Sequence, residues 1–72
     1  MKAKMIVTQI SENYSGAKLT ELSAVNSGTP EDNYFFKATP FASLKIQVDN
    51  PAAKDFLKIG KKYYIEFSEA AE

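Results

Sequence analysis

The run Lys61-Lys62-Tyr63-Tyr64-Ile65-Glu66-Phe67 places two ammonium groups beside a pair of aromatic rings. Together these groups can do one kind of chemistry. A ring stacks on a base while a lysine meets a phosphate, or the same ring anchors a protein partner. Alternation along a strand turns Tyr64 away from Tyr63, Ile65 and Phe67, so Tyr64 is the ring expected at the surface. Tyr34 and Phe35 are neighbours on a short helix and cannot both face inward, which adds them, and Phe41, to the expected surface aromatics. The candidate ligand-binding set is therefore Tyr64, Lys61, Lys62, Tyr34, Phe35, Lys37 and Lys45.

Catalytic chemistry has little to work with. The chain holds no His, Cys, Trp or Arg. Its serines lack an imidazole to activate them, and no motif marks a Ser–Lys pair. Glu31 and Asp32 are adjacent and sit at a helix start, where acids answer the helix dipole, and they do not form a spaced acid–base pair. Asp49 reads as a turn residue. Without thiolate or imidazole, a metal site would need an all-oxygen loop, and none is visible. Gly16, Gly28 and Gly60 are isolated and form no phosphate-cradling fingerprint. The expectation is a non-enzyme with no cofactor and no metal.

These side chains need elements to position them. Lys4 to Asn13 is β-like, with Ile6, Thr8 and Ile10 on one face and Met5 and Val7 on the other. Tyr14 to Ala17 is a turn around Gly16. Lys18 to Asn26, where Leu19, Leu22 and Val25 recur every three residues, fits a strand with a bulge near Glu21 better than its alternative, a helix, because Thr20, Ser23 and Val25 are mediocre helix formers. Thr29-Pro30-Glu31-Asp32 starts a short helix: a cap, a proline at the first position and two acids at the positive end of the dipole. Ala38-Thr39-Pro40 ends it. Ala42 to Val48 alternates, with Leu44, Ile46 and Val48 against Ser43, Lys45 and Gln47. Asn50-Pro51 opens a second helical turn, Gly60 turns the corner, and the last strand follows, with residues 68–72 as a frayed tail. Phe36, Phe56, Tyr63 and Phe67 are the aromatics expected in the core.

The result is one β-rich α+β domain over residues 1–72. It has about four mainly antiparallel strands in a small curved sheet or half-closed barrel, and two short helical turns. Composition agrees with a small globule: 44% of the residues are hydrophobic and 25% charged. Nine lysines balance nine acids, so no net field draws nucleic acid or a membrane. A 72-residue core without disulfides lies near the lower limit of self-sufficiency, which favours a homo-oligomer. No targeting or membrane segment is visible, so the expected location is cytoplasmic.

Pro30-Glu31-Asp32-Asn33, Ala38-Thr39-Pro40, Asn50-Pro51-Ala52-Ala53 and Gly60-Lys61 followed by Tyr63-Tyr64-Ile65-Glu66-Phe67 form a frame. It resembles a group of short phage-encoded proteins and covers the C-terminal two-thirds of the chain. The resemblance implies a phage accessory protein acting inside an infected bacterial host, and carries no catalytic residue with it. Three functions stay open. The first is capture of a small nucleotide signal of bacterial defence by the aromatic–lysine set. The second is an interaction module that inhibits a host protein or joins a virion. The third is a small barrel for single-stranded nucleic acid, which the neutral charge and missing arginines disfavour.

Overall fold

A computed structural model describes residues 1–12, 14, 16–49 and 55–71. Among them, β1 (Lys2–Glu12), β2 (Lys18–Ala24), α1 (Pro30–Ala38), β3 (Ser43–Val48) and β4 (Lys62–Glu66) follow one another. All three strand pairings are antiparallel and give the order β3-β2-β1-β4. No ladder joins β3 to β4 among the described residues, so the sheet stays open at both edges.

The expected second helical turn, from Asn50 through Asp55, lies outside the described residues except for Asp55. The first is present as drawn from its signals. The Thr29 side chain accepts the Asp32 N–H, Pro30 opens the helix, and the Thr39 N–H closes it on the Phe35 carbonyl. Gly16 and Gly60 take φ of 90° and 83°, the left-handed turns that only glycine adopts freely.

Cross-strand rows define the two faces of the sheet. Val7, Leu22 and Leu44 form one row, and Ile10, Thr20 and Ile46 the next. Met5 lies between Ala24 and Tyr63, and Ala3 opposite Ile65. This is the apolar face, and its centre is the buried cluster of Met5, Val7 and Leu22, with Ile10, Ala42, Leu44, Leu57, Tyr63 and Ile65 packed around it. The other face carries Lys4, Lys62 and Tyr64, and these side chains meet α1 through Asp32, Glu31 and Phe35. The helix therefore covers the polar side of the sheet.

Two expectations change here. The bulge lies opposite Glu21, but on β1: the register steps from Val7↔Leu22 to Gln9↔Glu21, leaving Thr8 as the extra residue. The Thr8 hydroxyl donates to the Glu21 carbonyl across the irregularity. β2 itself alternates cleanly, with Thr20 and Leu22 buried and Leu19 exposed. The bulge also moves Ile10 onto the face of Met5 and Val7, away from Ile6, because one inserted residue reverses the alternation.

The second change concerns the aromatics. Phe56 and Phe67 are 68% and 54% exposed and are not core residues. Phe56 packs its ring against Tyr63 at 5.5 Å, and Phe67 is held at the end of the sheet by its main-chain hydrogen bond to Met1 while the residue stays more than half exposed. Tyr63 and Phe36 are half-buried. Residues so exposed contribute little to stability. Phe56→Ala and Phe67→Ala are each expected to cost less than about 1 kcal/mol, and a thermal melt lowered by ten degrees or more in either variant would show that the ring is covered after all.

Candidate functional site

The helix and the sheet are joined by charge. Lys2 and Lys4 alternate with buried Ala3 and Met5 on β1, which turns both lysines toward α1. Lys62 and Tyr64 do the same on β4, with Tyr64 directly across from Lys4. Asp32, in the first turn of the helix, points down between them and is completely buried. Its Oδ1 lies 2.6 Å from the Lys4 ammonium in a close ion pair. Its Oδ2 receives directed hydrogen bonds from Lys62 Nζ at 2.5 Å and from the Ser27 hydroxyl. These contacts, Lys4 first, then Lys62 and Ser27, hold the Asp32 carboxyl far below the usual carboxylate range.

Glu31 stands beside it. It accepts the Tyr64 phenol and lies 3.6 Å from Lys4. The phenol's hydrogen bond keeps Glu31 below its ordinary value, and the same bond raises Tyr64. The bond to Asp32 raises Lys4. At the other end of the sheet the Asp55 carboxylate, 2.5 Å from Lys18, raises that lysine. Each of these five shifts moves away from neutral pH, so these groups stay in one ionisation state where a general acid or base would need to exchange. Among the described residues no three metal-ligating side chains gather, and no helix is long and apolar enough to cross a membrane.

Over this ion cluster lies an aromatic one. Tyr34 and Phe35 meet edge to face at 5.3 Å, Phe35 meets Tyr64 at 5.9 Å, and the Lys2 and Lys4 ammoniums lie 5.1 and 5.7 Å from the Tyr64 ring centroid. The structure thus brings together Tyr64, Lys62, Tyr34 and Phe35 of the expected set. Tyr34 and Tyr64 are exposed and Phe35 half-buried. Lys61 is exposed just before β4, and Lys37 is exposed in the last turn of α1. Lys45 lies on β3 at the far edge, paired with Glu21 at 3.3 Å. Three strand spacings, about 14 Å, separate it from β4.

Lys2, Lys4 and Asp32 are the members that the expected set lacked. The lysines had a signal in the alternation of Lys2 and Lys4 with Ala3 and Met5. Asp32 had none, because an acid in the first turn of a helix is ordinarily solvated. No protein-family model, curated protein or solved structure matches the chain significantly.

Proposed function

We propose that the chain is a non-catalytic interaction module of a phage, which docks on a protein of the infected host through the apolar face of its sheet. The observation that carries this reading is the exposure of Phe56 and Phe67 on that face, next to half-buried Tyr63 and Ile65. Large aromatics held open to water on a preformed sheet are the usual anchors of a protein interface. The ionisation states of the polar face support the non-catalytic part.

Nucleotide capture is the second reading, and the stacked Tyr64 and Phe35 with Lys2 and Lys4 above the Tyr64 ring favour it. Against it, a phosphate would compete with buried Asp32 for Lys4 and Lys62.

A photo-crosslinking residue placed at Phe67, with a control at Gln47 on the opposite face, separates the two. Illumination in infected cells is expected to trap one host protein at position 67 and none at 47. Adducts only with a second copy of this chain, or none, would overturn the docking reading. Heat on titration with a nucleotide panel, lost in Tyr64→Ala, would replace it with nucleotide capture.

A further inference from the structure

The outer edge of β4 matches itself, and we infer that two copies of this chain pair β4 to β4 about a twofold axis at Tyr64, making one eight-stranded sheet. The argument starts from which main-chain groups are free. The Val7 N–H donates to the Lys61 carbonyl at 3.1 Å and the Phe67 N–H to the Met1 carbonyl at 2.8 Å. With Met5 opposite Tyr63 and Ala3 opposite Ile65, residues 61, 63, 65 and 67 direct their main-chain groups at β1. Lys62, Tyr64 and Glu66 then direct theirs outward, where no strand lies among the described residues.

Those three residues are self-complementary. An antiparallel twofold through Tyr64 sets Tyr64 against Tyr64 of the second copy, and Lys62 against Glu66 at both ends. Every outward N–H and C=O of the three finds a partner, and two opposite-charge pairs lie directly across the join. Glu66 is exposed and has no ion pair among the described residues. Lys62 shares its one carboxylate, Asp32, with Lys4, which also has Glu31 at 3.6 Å, and Glu66 of the second copy supplies Lys62 with another.

The other edge matches itself less well. The Ala24 N–H donates to the Ala42 carbonyl, and Ala24 and Ala42 start the series Leu22↔Leu44 and Thr20↔Ile46, so β3 directs Ser43, Lys45 and Gln47 outward. Pairing all three with a second copy sets Lys45 against Lys45, like charges directly opposed. Moving the axis to Gln47 sets Lys45 against Asp49, but Asp49 lies beyond the end of β3 and accepts from the Gln47 amide, and Lys45 is already paired with Glu21 at 3.3 Å. A twofold at β4 also keeps both apolar faces on one side of the joined sheet, so the docking face runs on through Tyr63 and Ile65.

Sedimentation equilibrium tests the pairing. The wild-type chain is expected at about twice its 8.0 kDa mass. Glu66→Lys replaces both cross-join attractions with repulsions and should weaken the dimer at least about tenfold. Glu66→Pro removes only an outward N–H, so it should sediment as a monomer with a wild-type circular dichroism spectrum. Lys45→Glu, on the other edge, should leave the dimer unchanged. A wild-type monomer at millimolar concentration would overturn the pairing, as would a dimer that neither position-66 variant weakens. If the proline variant unfolds, Glu66→Lys decides alone. Loss of this dimer leaves the docking reading standing, because that reading rests on the face and not on the edge.

Discussion

Asp32→Ala is expected to lower the melting temperature by more than about 10 °C, the largest effect of any polar substitution in the chain. The carboxylate is completely buried with Lys4 at 2.6 Å and Lys62 at 2.5 Å. Removing it leaves Lys62 without its ion-pair partner and Lys4 with only Glu31 at 3.6 Å, and frees the Ser27 hydroxyl from its acceptor. Breaking one side of such a pair costs far more than the pair itself contributes, because the desolvation remains while the attraction is gone. Differential scanning calorimetry reads the shift, and a drop of less than about 3 °C would mean that the ion cluster does not hold α1 in place.

The same cluster sets the pH response. Asp32 and Glu31 have folded-state pKa values below their unfolded ones. Their contribution is complete above the ordinary carboxylate range, near pH 4, and is lost as pH falls through the depressed folded values. Lys4 and Tyr64 are raised, so what they contribute is complete below about pH 10 and is lost as pH rises through their folded values. Stability is therefore expected to fall on both sides of a broad plateau. In Asp32→Asn, which cannot titrate, the acid limb should flatten while the alkaline limb persists. An acid limb as steep as in the wild type would assign the acid sensitivity to other carboxylates.

Leu22→Ala is expected to cost about 2–5 kcal/mol, enough to unfold much of a domain whose whole stability is ~5 kcal/mol. Leu22 is 3% exposed and stands between Val7 and Leu44 at the centre of the core. Off the strands, Leu57 and Ala42 pack on this cluster, and no second helix or sheet among the described residues lies over it to close the cavity. Urea denaturation measures the loss directly. A midpoint within about 0.3 M of the wild type, at a urea slope near 1 kcal/mol/M, would place the centre of the core elsewhere. The contrast with Phe56→Ala and Phe67→Ala is the sharper test: a leucine should outweigh either phenylalanine.

Local chemistry alone determined several parts of this protein. Thr29, Pro30 and the acids after them specify a helix start, and Thr39-Pro40 its end, because capping and φ restriction act within one turn. Leu44, Ile46 and Val48 specify β3 through alternation, and Gly16 and Gly60 specify left-handed corners. The outward turn of Tyr64 follows from the alternation of β4. Tertiary structure decided the rest. Thr8 becomes a bulge only when β1 is paired with β2, so the face of Ile10 could not be read from β1 alone. Asp32 is buried only because α1 lies over Lys4 and Lys62, the second of these thirty residues away in the chain. Phe56 and Phe67 are apolar by composition but exposed by position, since hydrophobicity says that a ring favours burial and not whether a neighbour exists to bury it. Register, the side on which a helix packs and the open edges of a sheet are properties of distant pairings, and no run of adjacent residues encodes them.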